Sequence, residues 1–550
     1  MQRAETYTWY DSWRWPALWL VVVATGLFTR SYFPIDETRY LGVAWEMWLN
    51  SDWLVPHLNG HPYSHKPPLL FWLIVAGWKL FGVNDWWPRI VPSLFALGSL
   101  ALTRWLARRL CPEEPLVMNA APLLLQGTLL WAVFTTMLMF DMLMVFFVLV
   151  ALAGINVAAA GAAGRGWLLT GLATGLALLS KGPVALLYIL PPALAAPWWV
   201  SERTSRRWSR WYGGLAVSLV LGISLALCWA VPAALAGGPD YADAIFWGQT
   251  AHRIAGGIVP HARPVWWYLA AVPVFLFPWM LWPPAWRGLA GLSRTGSEGG
   301  VRFCVAWLAP ALVLLSFIES KQPQYLLPLL PAFALLTAQG IARLDADDVG
   351  RRGMWLPASC LALLGIALAI VPLAAGYIDS VASLQGISIF WGAGLLLAAV
   401  GLGALPARTP KAGVTLWSTA IVALMVFLHV GPLQSVTAFN DARPLGRALL
   451  QLERDGVPIA WLHAYDDQYQ FAGRLTQPLD VVGDNDLAPW IETHPDGAVV
   501  VRYRAWDPSL ADSAIYAQRW RGGAIAVWQA AKLTPHRRLA GQPREDHVGG

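Results

Sequence analysis

The chain has 550 residues, 57% of them hydrophobic and only 13% charged, whereas soluble domains carry about 25% charged residues. That balance excludes a soluble protein, and the repeated apolar runs of roughly 18–22 residues point to membrane helices rather than a barrel. The net charge of +6, with 34 Trp suited to interfacial anchoring, reads as a topology signal and not as nucleic-acid binding.

The first apolar run, Trp15–Phe33, is long and has no small-residue cleavage site, so a retained helix is expected rather than a signal peptide. A polar stretch rich in Pro and Trp follows, residues 34–87. Within it Leu69–Phe81 is apolar but short, bounded by Pro67-Pro68 and Gly82, and fits a re-entrant or interfacial helix better than a span. Further spans are expected at Pro88–Leu106, Leu116–Phe134, Met142–Ala160, Trp167–Leu179, Pro183–Val200, Tyr212–Leu235, Trp266–Trp286, Arg302–Phe317, Tyr325–Ile341, Met354–Ala375, Ile387–Leu405 and Val414–Val430. With a cytoplasmic N-terminus, this count of about thirteen puts nearly every basic cluster on one side, from Arg104, Arg108 and Arg109 to Arg408 and Lys411. Counting Leu69–Phe81 as a span would scatter that pattern.

The tail is mixed and polar. Val457–Trp461, Ala498–Tyr503 and Gly523–Trp528 predict strands, and Arg443–Leu452 predicts a helix. The sequence therefore predicts an all-α polytopic membrane protein over residues 1–433, with a small α/β domain over 434–550 on the outer face. The four Cys have no metal-ligand spacing and fall in or beside apolar runs, which argues against a disulfide framework.

This topology gathers ionisable groups from distant parts of the chain at outer helix ends. Asp36, Glu37 and Arg39 follow the first run; Asp141 interrupts an otherwise uncharged run; Lys181 and Lys321 sit in tight turns with Tyr325 close by; Arg253 lies in a long outer loop. An isolated Asp-Glu pair is more often a solvated loop start. Asp141 taken alone is as well explained by pairing with a neighbouring helix, and Lys181 by snorkelling. Together, cations and a phenol on one face suit an anionic ligand such as a phosphate, and carboxylates on that face suit an acceptor to be oriented or deprotonated. His57, His61, His65 and His252 lie on the same side as Glu37 and Glu46, so a divalent metal ion is compatible with the sequence, but no ligand spacing specifies one.

Several blocks carry a family resemblance: Asp36–Tyr40, Asp52–Gly60, His65–Trp72, Leu80–Ile90, Phe140–Phe147, Leu178–Leu187 and Ser320–Leu335. They resemble the ArnT-like lipid-linked-sugar glycosyltransferases, relatives of the protein O-mannosyltransferases with the GT-C fold. The resemblance covers roughly Trp15–Arg343. It implies a first outer loop with juxtamembrane helices, a periplasmic C-terminal domain and an undecaprenyl-phosphate-linked sugar donor at the bacterial inner membrane. In ArnT the sugar is 4-amino-4-deoxy-L-arabinose and the acceptor a lipid A phosphate; Phe140-Asp141-Met142 departs from the enterobacterial pattern. The resemblance puts a catalytic base at Asp36 and a second acid at Asp141, and places Lys66, Arg253 and Tyr325 on the donor phosphate. Glu37 joins the carboxylates as a further catalytic candidate, though a structural role holding a nearby cation such as Arg39 is the better expectation for it; Arg39, Lys181 and Lys321 add cations for the phosphate. A protein O-mannosyltransferase keeps the carboxylates and changes the acceptor. A transporter or flippase would instead bury charge near the midplane in repeated halves, and no internal repeat is seen.

Overall fold

A computed structural model of the chain describes residues 10–200, 207–248, 261–295, 299–345, 351–375, 384, 386–405, 407 and 409–533. The apolar runs fold as helices. Those that position the site are α1 (Tyr10–Thr29), α2 (Asp36–Asn50), α3 (Leu69–Phe81), α4 (Trp87–Leu110), α5 (Pro115–Gln126), α6 (Leu129–Phe134), α7 (Asp141–Ala159) and α8 (Ala163–Lys181). Among the described residues, seven helices are long and apolar enough to cross a membrane. Other apolar runs are broken where Gly or Pro interrupts the helical ladder. Leu116–Phe134 divides into α5 and α6 at Gly127, and Pro183–Val200 becomes a 3₁₀ turn followed by Leu186–Leu194 and Ala196–Trp199.

Small residues let α7 and α8 pack closely: a Cβ added at Gly166 would stand 2.4 Å from the backbone nitrogen of Ala158. α8 ends at Lys181 because Gly182 takes a φ of +81° and Pro183 follows. α3 covers the short run the sequence marks off, and its C-cap, Gly82, has a φ of +73°. The stretch between α1 and α3 is more regular than a polar loop, since it contains the helix α2. The strands β1 (His57–Leu58) and β2 (His61–Pro62) pair antiparallel after it.

The tail forms a five-stranded sheet of β3 (Ile459–Leu462), β4 (Asp480–Val482), β5 (Ala498–Tyr503), β6 (Tyr516–Trp520) and β7 (Gly523–Gln529), in the order β4-β3-β5-β7-β6. β3 runs parallel to β4 and β5, whereas β7 is antiparallel to β5 and β6. The helix Arg443–Arg454 packs its buried Leu445 and Leu449 in one apolar cluster with Trp461, Val500 and Val527. β4 and β6 escape the sequence reading because both are short and only partly buried, without a clean alternation.

This domain is seated on α2 and α3. Phe471 is buried between Trp78, stacked at 5.1 Å, and Trp45, edge-on at 6.1 Å, and the Trp45 indole donates to the Leu475 carbonyl at 2.7 Å. At Gly42 a Cβ would stand 2.6 Å from the Cβ of Asp467, so the tail reaches the helix backbone itself.

Candidate active site

Two carboxylates head helices at the end of the bundle that carries the tail domain. Asp36 opens α2 and Asp141 opens α7, where the N-terminal end of the helix dipole favours negative charge. Lys181 closes α8, where the dipole favours a cation, and its ammonium forms an ion pair with the buried Asp141. The same ammonium lies 5.1 Å from the centre of the Tyr325 ring, and the Tyr325 carbonyl accepts the Tyr188 hydroxyl at 2.8 Å. Asp141, Lys181 and Tyr325 thus meet although they are far apart in sequence. Tyr40 links this group to Asp36: it lies within electrostatic reach of both Asp36 and Asp141, with its ring edge-on to Phe140 at 4.9 Å. Lys66 follows β2 in the loop three residues after Tyr63, whose phenol faces Arg39 and Asp36 and is pushed up by burial.

Asp36 and Glu37 do opposite things. Asp36 is exposed, whereas Glu37 is completely buried. Glu37 does hold a nearby cation, as expected, but it is Arg30 and not Arg39, the one candidate the sequence suggested. Its guanidinium grips Glu37 in a fork, at 2.5 and 2.7 Å, while the backbone N–H groups of Phe33 (2.5 Å) and Leu138 (2.6 Å) donate to the same carboxylate. Burial pushes this carboxyl up, but Arg30 and the two amides outweigh it and hold Glu37 below the usual range. With its oxygens engaged this way, Glu37 ties α1 and α2 to the segment before α7, the structural role expected of it rather than the catalytic one.

Arg39 points the other way. It pairs at 3.0 Å with Asp466, a residue of the tail domain, with both side chains largely sheltered from solvent. Next to it, Asp467 accepts the backbone N–H of Asn59 at 2.8 Å and lies against Glu46, which accepts the Gly60 N–H at 3.0 Å. Burial and the neighbouring Glu46 hold the Asp467 carboxyl well above the usual range. Lys321 is also committed: its ammonium donates to the carbonyls of Ile318 and Arg263, at 2.5 and 2.9 Å. This lysine therefore braces its turn against residues 261–263 rather than standing free for a phosphate. Arg253 and His252 lie outside the described residues. Among the described residues no three His, Cys, Asp or Glu come together to hold a metal ion.

Residues 65–232 match the family model described as dolichyl-phosphate-mannose-protein mannosyltransferase. The undecaprenyl phosphate-alpha-4-amino-4-deoxy-L-arabinose arabinosyl transferase 1 of Pseudomonas fluorescens is 34% identical over 333 residues, 59% of each chain. The chain thus spans about six-tenths of that relative's length. The transferase of the same description from Erwinia tasmaniensis is 26% identical over 91% of this chain and 95% of its own. The crystal structure of ArnT from Cupriavidus metallidurans bound to undecaprenyl phosphate superposes with a TM-score of 0.73 at 19% identity, over 95% of this chain and 98% of that one. The chain shares the fold of that structure, the GT-C fold. Sequence reasoning missed Arg30, Asp466 and Asp467. Arg30 stands at the end of an apolar run like any interfacial arginine, and the Asp466-Asp467 pair reads as a solvated charge run. Arg30 is seen only once α1 and α2 are packed together, and Asp466 and Asp467 only once the tail docks onto α2.

Proposed function

We propose that this ArnT-like chain is an inverting glycosyltransferase of the bacterial inner membrane. It moves a sugar from an undecaprenyl-phosphate-linked donor to a phosphate of lipid A, the sugar being 4-amino-4-deoxy-L-arabinose as in its relatives' names. Its site and the domain formed by residues 434–550 face the periplasm, and residues 1–433 form the membrane domain. The observation that carries this reading is an exposed carboxylate, Asp36, held at the same end of the fold as the Asp141–Lys181–Tyr325 cluster.

In the proposed reaction an acceptor oxygen attacks the anomeric carbon as the bond from that carbon to the donor phosphate oxygen breaks. Undecaprenyl phosphate leaves, and its growing charge is stabilised by Lys66, by Tyr325 and, from the resemblance, by Arg253. A hydroxyl acceptor would give its proton to Asp36. An ionised phosphate acceptor needs no base, and there Asp36 steadies the positive charge that builds on the sugar. Lys181 neutralises Asp141 and fixes it near Tyr40, while Arg39, anchored by Asp466, lies beside Asp36.

The test is transfer by the purified full chain in detergent, with the undecaprenyl-phosphate aminoarabinose donor and lipid A, read by mass spectrometry. Aminoarabinosyl lipid A is the expected product. Transfer to Ser or Thr of a peptide instead would establish the protein O-mannosyltransferase reading, and folded protein that transfers to neither would refute both.

A further inference from the structure

A polar cavity of about 670 Å³ opens beside the ends of α1 and α4. Arg30, Arg89, Arg443 and Arg474 line it, with Asp85 and Asp441. None of Asp36, Arg39, Lys66, Asp141, Lys181 and Tyr325 does, so it is separate from the candidate active site.

Its charges do not cancel. Arg30 is taken up by Glu37, Arg443 pairs with Asp441 at 2.8 Å, and Arg474 pairs loosely with the exposed Asp85 at 3.3 Å. Among the described residues no carboxylate pairs with Arg89. It donates to the carbonyls of Leu27 (3.3 Å) and Arg30 (2.7 Å), lies 4.0 Å from the centre of the Tyr32 ring, and keeps a buried Nε without a hydrogen-bond partner. A guanidinium with no carboxylate partner, lining a part-buried, net-positive cavity, is a site for an oxyanion.

The surroundings say where the anion comes from. Phe28 and Trp86 line the same cavity yet are 85% and 41% exposed; Phe28 lies on the last turn of the largely apolar α1, and Trp86 directly precedes α4, a helix long and apolar enough to cross a membrane. The mouth is therefore apolar beside the ends of α1 and α4 and basic towards the tail domain, a layout that suits a headgroup whose acyl chains lie along the apolar helices.

We propose that this cavity binds the phosphate of a bilayer phospholipid headgroup. Arg89 is its principal contact, and Arg443 and Arg474 close over it from the tail domain. The lipid then bridges the ends of α1 and α4 to the tail domain, independently of the sugar-transfer reading.

Native mass spectrometry of the full chain tests this, using phosphatidylglycerol, diacylglycerol with the same acyl chains, and inorganic phosphate as competitor. Phosphatidylglycerol should be retained and diacylglycerol should not. Arg89→Gln and Arg443→Gln should each weaken retention by about 10-fold, the loss of one charge-assisted contact, while Arg108→Gln, at the far end of α4, should not. Arg443 is 59% exposed in its side chain, so that variant keeps the test open even if Arg89→Gln fails to fold. Equal retention of diacylglycerol, or unchanged retention in folded Arg89→Gln and Arg443→Gln, would overturn the proposal. Complete displacement by millimolar phosphate would also overturn it, by marking a small-anion site.

Discussion

Asp36 stands exposed at the first position of α2, and Glu37, about 100° further round the helix, is buried under Arg30. Their substitutions should therefore fail in different ways. Asp36→Asn keeps the shape and removes the carboxylate, and should lower single-turnover transfer about 10²-fold or more in protein that inserts normally and still binds donor. Glu37→Gln leaves Arg30 as a buried charge without its counter-ion. It should cost about 3–5 kcal/mol of stability, seen as a lower melting temperature and lower abundance. An inactive but fully stable Glu37→Gln would reverse the two assignments. Asp466 belongs at the same scale, because it restrains Arg39 without being placed to meet the reacting atoms. Asp466→Asn should reduce transfer by roughly 10-fold, as the loss of a hydrogen bond to a charged group does, with Asp466→Glu recovering most of it. A merely structural role would instead lower melting temperature and activity together, with no recovery by glutamate.

α2 shows which parts of the fold were legible. Its neighbour α3 could be read from Pro67-Pro68 and Gly82 because those signals are local, and β5 could be read as a continuous β-branched run. α2 itself, with its mixture of acids, Trp and Gly, has no simple period to read. Asp36, Lys66 and Asp141 stood out because charges beside apolar runs demand a reason. Asp466 and Asp467 did not, since their partners lie more than 400 residues away and no local pattern encodes a contact of that range. The Asp467 contact also predicts a pH dependence. Its carboxyl is held above the usual range, so the folded tail binds a proton that the unfolded chain releases. That stabilisation is complete below the ordinary carboxylate pKa and is lost as pH rises through the raised value. Asp467→Asn mimics the protonated acid, can donate to Glu46, and still accepts from Asn59. It should raise the melting temperature at pH 8 and flatten its dependence on pH; an unchanged pH slope would mean that Asp467 does not carry the proton. Gly42→Ala is the steric counterpart. Alanine favours the helix by about 1 kcal/mol, but its Cβ would meet Asp467 at 2.6 Å, so it should destabilise the docked tail despite the better propensity.

At the scale of the molecule, the membrane bundle and the tail meet beside the candidate site, with Asp36 and Arg39 on one part and Asp466 on the other. The join is pinned by Phe471, which fills the space between Trp45 and Trp78 and carries the Arg474 guanidinium 3.7 Å from its ring centre. Phe471→Ala removes that pin, at an expected cost of about 3–5 kcal/mol. The bundle is held by its own buried core, so the loss should fall on the join. Helical circular dichroism should be unchanged, while a protease should cut more readily in the segment between Pro432 and Arg443. Transfer should drop although Phe471 lies outside the reacting cluster, because the undocked tail takes Asp466 away from Arg39. Combining Phe471→Ala with Asp466→Asn then discriminates between mechanisms. If the phenylalanine acts through the Arg39–Asp466 pair, the double variant should transfer no more slowly than the slower single one, since the second change removes a contact already lost. Losses that multiply would mean that the tail reaches the site by another route and that the Arg39–Asp466 contact is incidental to it.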